Sequence, residues 1–402
     1  MLCLLNYYYS LIILRNKEAR VLNLNLENIK RGISLMKTVN FNTDCNKGPI
    51  MLEVATTSAC THKCYFCAEH SNLIPVEHTS FKMPDEMLWK LLSDIKKLKI
   101  EEVRLAGNGE PTADPRLTPI VDFLHQAGVK VLIVTNGTLV ERLPDSTFSK
   151  LHKITISINS FNNVTHQVIH DYKGATQLPK IMKNLDRLAK IPGVKKKIQI
   201  NYVMTTDNYA EFSEVLDYVE KNDIFVAIRP VYVGYKEIAS KKLEFGHINK
   251  VLSEIEERFT QGNLSNNLLK TLEYARQSFT SDASTFQERN ELLPCFAGLY
   301  GGYIESNGDY RISTYCDGKP MGNIKHSGFI GLWKDNQLQS KLYSGVIMNE
   351  TRRPLFKNCN NCLEGENYSR QFYSVFSKIP LQMQLIRNKH KEKVSKVKSF
   401  LS

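Results

Sequence analysis

Long apolar runs, internal repeats and low-complexity tracts are missing from this sequence, apart from a lysine-rich end. The opening MLCLLNYYYSLIIL is apolar, but its 14 residues, with Asn6 and Ser10 inside, fall short of the roughly 20 that span a bilayer. No basic n-region or small-residue cleavage site marks it as a secretion signal. A strand or packed arm is the plainer reading, with a start at Met36 as the other. The 21 Gly and 14 Pro are scattered, and nine Cys are sparse in 402 residues. Collagen-like, mucin-like and disulfide-stapled architectures are thereby excluded. What remains, 42% hydrophobic and 23% charged, is the composition of a folded chain. Its length suits two or three domains, or one large domain with an appendage.

An excess of one charge is present but confined. Lys and Arg number 53 against 41 Asp and Glu, a formal +12. Residues 1–40 carry +4 of it and residues 387–402 carry +5. A near-neutral body with two basic ends reads as solvated termini and not as a nucleic-acid groove. No DNA partner is expected, and a weak RNA or membrane-surface role for the tail stays open.

With neither secretion nor a membrane span supported, the cytoplasm is the expected compartment, and grouped cysteines there read as metal or cofactor ligands. Cys3 and Cys45 stand apart and read as small buried hydrophobes. The other seven form two groups: Cys60, Cys64 and Cys67, then Cys295, Cys316, Cys359 and Cys362.

Residues 50–235 alternate short β-rich runs with amphipathic segments. Strands are expected at Ile50–Val54, Glu102–Leu105, Lys130–Thr135, Lys153–Ile158, Lys197–Met204 and Ile224–Arg229. Helices are expected at Asp85–Leu98, Leu117–Ala127, Pro179–Leu188 and Tyr209–Val219. Such alternation predicts a parallel α/β sheet, open or curled into a full or partial barrel, with its site at the C-terminal ends of the strands. Residues 236–290 read as a helical linker. A hairpin is expected around Ser306-Asn307-Gly308-Asp309, between Cys295 and Cys316. A helix is expected over Leu332–Tyr343.

The strongest chemical signal is Cys60-Thr61-His62-Lys63-Cys64-Tyr65-Phe66-Cys67, directly after the first strand. Three thiolates on one loop can wrap a polynuclear centre without completing four-ligand coordination. A three-cysteine iron–sulfur cubane leaves one iron open; the alternative is a zinc site completed by His62 or His70. The Cys-x3-Cys-x2-Cys spacing, with Phe66 before the last cysteine, resembles the radical S-adenosylmethionine superfamily. That resemblance covers residues 50–235 and implies a partial (β/α)6 barrel. It also implies a catalytic 4Fe-4S cluster on Cys60, Cys64 and Cys67, whose open iron chelates S-adenosyl-L-methionine and cleaves it to a 5′-deoxyadenosyl radical. A reducing electron donor such as flavodoxin or ferredoxin is implied with it.

Further motifs fall at strand ends. Gly107-Asn108-Gly109-Glu110-Pro111 is similar to the family's glycine-rich motif that meets the methionine amino group. Glycines let carbonyls approach an ammonium, and Glu110 can offset its charge. Asn136 after the third strand, and Ser157 and Asn159 at the end of the fourth, resemble contacts to the ribose and carboxylate; strand-end hydrogen bonding is the competing account.

The second cysteine group, Cys295-x20-Cys316-x42-Cys359-x2-Cys362, resembles the SPASM and shorter twitch extensions of that superfamily, over residues 291–370. The resemblance implies one auxiliary 4Fe-4S cluster; a zinc knuckle is the alternative. No residue stands out as a general base, since Asp309 and Asp317 read as turn carboxylates. An oxidoreductase or maturase is expected, acting on a small carbohydrate-like molecule or a peptide with the auxiliary cluster as electron acceptor. Only about 50 residues precede the first strand, little room for a peptide-recognition domain, which favours the small molecule. An RNA-modifying radical enzyme and a non-enzymatic iron–sulfur or zinc protein are the alternatives.

Overall fold

A computed structural model describes residues 48–74, 81–170, 176–231, 236–262, 264–280, 301–312, 320–335 and 338. Cys295, Cys316, Cys359, Cys362 and Asp317, the N-terminal arm and the basic tail lie outside these residues.

Six parallel strands form where the sequence is β-branched and alternating: β1 (Met51–Val54), β2 (Glu102–Leu105), β3 (Lys130–Thr135), β4 (Lys153–Ser157), β5 (Ile198–Met204) and β6 (Phe225–Pro230). Each lies within one residue of its expected bounds. Alternation divides their side chains between two faces. Leu52, Val54, Val103, Leu105, Val131, Ile133, Ile154, Ile156, Ile200 and Tyr202 are all but inaccessible. The opposite positions include polar, half-buried residues, among them Glu53, Arg104, Ser157, Gln199 and Asn201. Apolar residues on one face draw the helices over it, and the other becomes the inner face of a partial barrel.

The helices supply the matching stripe. In α1 (Asp85–Lys97), Leu88, Leu91, Leu92 and Ile95 are buried, while acidic Asp85 and Glu86 open the helix and Lys96 and Lys97 close it, as its dipole favours. α2 (Leu117–Gln126) repeats the apolar stripe, with Leu117, Ile120, Val121 and Leu124 buried. Two short helices, α3 (Asp145–Lys150) and α4 (Asn163–His170), escaped the sequence reading. α4 was legible at its start, where Asn162 Oδ1 accepts from Val164 N at 2.8 Å. α5 (Leu178–Lys190) and α6 (Phe212–Asn222) follow; α6 starts later than expected because Tyr209–Glu211 forms a 3-10 turn. The segment read as a linker contains α7 (Phe245–Thr260) and α8 (Asn266–Thr280). α8 packs on β6 through buried Leu268, Leu272 and Ala275, and Thr271 Oγ1 accepts from Val226 N at 3.1 Å.

The expected hairpin is present as β7 (Gly301–Ile304) and β8 (Asp309–Arg311), with β9 (Gly322–Asn323) beyond it. Its setting was not legible. β7 pairs in parallel with β1, giving one nine-stranded sheet in the order β6-β5-β4-β3-β2-β1-β7-β8-β9. An unexpected helix, α9 (Ile324–Trp333), comes first; the helix expected at Leu332–Tyr343 falls mostly outside the described residues, with Leu338 helical among those that are described. Asn323 caps α9 by accepting from Lys325 N at 2.8 Å, and its buried Phe329 and Trp333 pack toward Tyr310 and α1.

Candidate functional site

The chain leaves β1 through Ala55–Ser58 into the cysteine loop, at the C-terminal end of the strands. Its three thiols are half-buried. The loop is fastened from several sides. Lys63 N donates to His170 O at 3.2 Å and Tyr65 N to Ile169 O at 3.1 Å, which satisfies carbonyls at the end of α4. The buried Tyr65 hydroxyl donates to Asp207 Oδ2 at 2.7 Å, and Lys241 Nζ pairs with the same carboxylate at 2.9 Å. Asn136 Nδ2 donates to Thr61 Oγ1 at 2.8 Å, holding the loop to the end of β3.

Burial pushes the Cys60 thiol up to about 12, raises Cys64 well above its ordinary value and raises Cys67 as well. Held protonated, these groups ionise when a metal core takes the protons' place. N–H groups point at Cys60 Sγ, with His62 N at 3.5 Å and Asn136 Nδ2 at 3.7 Å, and the His170 Nδ1 ring nitrogen lies 2.9 Å from Cys64 Sγ. Three thiols on one loop with N–H donors around the sulfur fit an iron–sulfur cluster.

The histidines bear on the zinc alternative. His70 Nε2 lies 2.7 Å from Asn108 O, so it is engaged by the glycine-rich loop. His62 is buried and packs, ring against tilted ring, with two histidines that sequence reading missed, His166 and His170. Ring centroids are 4.4 Å apart for His62 and His170, 4.2 Å for His166 and His170, and 5.7 Å for His62 and His166. Burial lowers His62 to about 3, His166 to about 4 and His170 well below its ordinary value, so all three are neutral. Donor atoms of His62, Cys64 and His170 lie within 4.8 Å of one another. The available signal was the i, i+4 spacing of His166 and His170.

Gly107-Asn108-Gly109-Glu110-Pro111 lies against the same loop. A Cβ at Gly109 would sit 2.1 Å from Thr57 O, and Glu110 N donates to Ala59 O at 2.8 Å. Gly107 holds φ +117°, and a Cβ there would sit 2.6 Å from the Tyr303 hydroxyl. Packing against the protein accounts for both glycines. Tyr303, from β7, clasps the residue between them: its hydroxyl accepts from Asn108 N at 3.1 Å and donates to Asn108 Oδ1 at 2.9 Å.

Glu110 is buried and already engaged. Its carboxylate accepts from Thr112 N at 3.0 Å, Thr112 Oγ1 at 2.5 Å, Thr135 Oγ1 at 2.6 Å and Asn136 N at 2.6 Å. Burial raises its pKa, opposed by these same bonds. Pro111 opens the adjoining 3-10 turn. Asn159 is buried and stitches β4 to β5, Oδ1 accepting from Val203 N at 2.8 Å. Ser157 is half-buried on the inner face opposite Asn201, and Phe66, half-buried, meets the Tyr65 ring edge-on at 5.5 Å. Asp309 accepts from the side chains of Asn307 and Asn323, as a turn carboxylate does.

A parallel partial barrel with a thiol loop after its first strand is an arrangement that can hold a metal cofactor through its thiolates. Residues 54–219 match the family model described as the Radical SAM superfamily, so the chain carries a radical S-adenosylmethionine domain. It is 26% identical over 328 residues to the tungsten-containing aldehyde ferredoxin oxidoreductase cofactor-modifying protein of Pyrococcus furiosus, covering 77% of this chain and 86% of that protein. It is also 26% identical over 162 residues to an S-adenosylmethionine-dependent nucleotide dehydratase of Selenomonas ruminantium, covering 39% of this chain and 56% of that protein. The fold is similar to that of SuiB from Streptococcus suis, solved with its precursor peptide SuiA, at a TM-score of 0.55 and 19% identity over 89% of this chain and 83% of that one. It is also similar to anSMEcpe with bound AdoMet, at 0.52 and 17% over 85% of this chain and 96% of that one. Among the described residues no helix is long and apolar enough to cross a membrane.

Proposed function

We propose that this chain is a radical S-adenosylmethionine oxidoreductase or maturase that takes hydrogen from a peptide or small-molecule substrate. The observation that carries the reading is the meeting, at one end of the sheet, of Cys60, Cys64 and Cys67 with the Gly107–Pro111 loop and Asn136. Cys60, Cys64 and Cys67 would hold a 4Fe-4S cluster, which when bound supplies the electron that cleaves S-adenosylmethionine to a 5′-deoxyadenosyl radical. Gly107–Pro111 would meet the cofactor's amino group through backbone carbonyls, since the Glu110 carboxylate is already occupied by four donors. Asn136 and Asn159 would shape the pocket from the strand ends, leaving Ser157 and the polar inner face for ligand. Phe66 would wall the cysteine loop.

Cys295, Cys316, Cys359 and Cys362 would hold a second 4Fe-4S cluster, whose chemistry there is to accept the second electron of an oxidation. Support comes from the hairpin that Cys295 and Cys316 bracket in sequence, because β7 joins the sheet beside β1 and Tyr303 reaches the glycine-rich loop. The relatives support both substrate classes: one is named for modifying a cofactor, and SuiB is solved with a peptide. A flavodoxin or ferredoxin would supply the electron, and the cytoplasm, where thiols stay reduced, suits the reading.

The test is anaerobic reconstitution of the full chain and of a triple variant, Cys60→Ala, Cys64→Ala and Cys67→Ala. The full chain is expected to bind about eight irons, in two cubanes, and to release 5′-deoxyadenosine; the variant keeps half the iron and releases none. Cofactor cleavage by the variant would refute the catalytic site. Tightly bound zinc without iron in the variant would refute the auxiliary cluster.

A further inference from the structure

From the contact between α4 and the cysteine loop we infer that His170 is a positioning residue which donates its Nδ1–H to the Cys64 sulfur and thereby sets how readily the catalytic cluster takes an electron. The inference rests on the proposed cluster at Cys60, Cys64 and Cys67.

Geometry distinguishes this role from that of a metal ligand. Zn–S and Zn–N bonds of about 2.3 and 2.1 Å at a tetrahedral angle place sulfur and nitrogen about 3.6 Å apart. Cys64 Sγ and His170 Nδ1 are 2.9 Å apart, closer than two ligands of one tetrahedral zinc and within reach of a hydrogen bond between them. The tautomer follows from the surroundings. Among the described residues the buried His170 Nε2 has no partner, which places the proton on Nδ1, where sulfur accepts it.

The ring has little freedom to turn away. Its own carbonyl accepts from Lys63 N and that of Ile169 accepts from Tyr65 N, so the last turn of α4 grips both neighbours of Cys64. His62 and His166 pack on the ring at centroid distances of 4.4 and 4.2 Å. Three buried imidazoles packed together under a thiol loop, with four ring nitrogens lacking partners among the described residues, are costly for stability alone, since apolar side chains would fill the space without that penalty. A directed N–H at the sulfur gives the arrangement a purpose. Hydrogen bonds to cluster sulfurs stabilise the more negative, reduced cluster and raise its potential.

The experiment is a redox titration of the reconstituted full chain, followed by electron paramagnetic resonance on the signal that S-adenosylmethionine perturbs. In His170→Leu the reduced-to-oxidised ratio at a fixed potential is expected to fall about tenfold, a downward shift of about 59 mV for one electron. His170→Asn, which places an amide N–H near the same spot, should lie close to wild type. Equal potentials in wild type and the leucine variant, with the signal present in both, would overturn the inference and leave the cluster reading intact. No such signal in wild type would instead overturn the cluster reading. Wild-type chain carrying 15N-histidine covers the case in which the leucine variant does not fold. Pulsed resonance should then detect a weak nitrogen coupling with an exchangeable proton. Either no coupling or the strong coupling of a bound nitrogen would refute the role.

Discussion

Acid should destabilise this protein through its histidine cluster, and His166 is the member whose contribution separates most cleanly from the cysteine loop. Its ring is buried, and burial lowers its pKa to about 4, against about 6.5 in an unfolded chain. Between those values the unfolded state binds the proton and the folded state does not. Stability is therefore full above pH 6.5 and falls as pH is lowered through the window, by about 1.4 kcal/mol per unit. Down to pH 5 that is about 2 kcal/mol from His166, and over the whole window about 3.4 kcal/mol. His166→Gln removes the titrating group while keeping a side chain of similar reach. Urea unfolding at pH 7 and pH 5, followed by circular dichroism, should show the variant losing about 2 kcal/mol less than wild type. The difference between pH 7 and pH 5 is the measurement, because packing changes that act equally at both pH values cancel in it. Parallel losses in the two proteins would show that His166 is charged or solvated when folded, and the reasoning would fail.

Other sites give sharper yes-or-no outcomes. Tyr303→Phe removes both bonds to Asn108; at about 1–2 kcal/mol for the pair, equilibrium dialysis should show S-adenosylmethionine held about 5- to 30-fold more weakly, and an unchanged affinity would dismiss the clasp. Gly109→Ala sets a Cβ against the Thr57 carbonyl at 2.1 Å; the loop has to move, and less than half the iron of the catalytic cluster should reconstitute. Arg116→Ala strands the buried Asp114 carboxylate, which the guanidinium pairs with at 2.7 Å; urea unfolding should report a loss of about 3–5 kcal/mol, and a loss under 1 kcal/mol would mean that water replaces the arginine.

The sheet was legible in the sequence because its periodicity is local: alternation in β1–β6 and the apolar stripe of α1 are set by neighbours a few residues apart. The cysteine loop and the glycine-rich loop were legible for another reason, since motif spacing is itself local. Glu110 shows where such reading ends. A carboxylate in a glycine-rich turn reads as a charge offered to a ligand, yet its four donors come from Thr112, Thr135 and Asn136, two of which lie on or beyond β3. The same holds for β7, whose pairing with β1 joins segments some 250 residues apart and leaves no trace in either strand's pattern. His62, His166 and His170 make the point in the site itself. Two sit one helical turn apart and the third lies on the cysteine loop, and each alone reads as an ordinary core histidine. Only the closure of α4 onto the loop packs them together and brings one nitrogen to the Cys64 sulfur. The residues that would hold the cofactor are thus written in short motifs, whereas those that would tune it arise from tertiary contacts between elements, and the tuning residues are where relatives with the same three cysteines can differ.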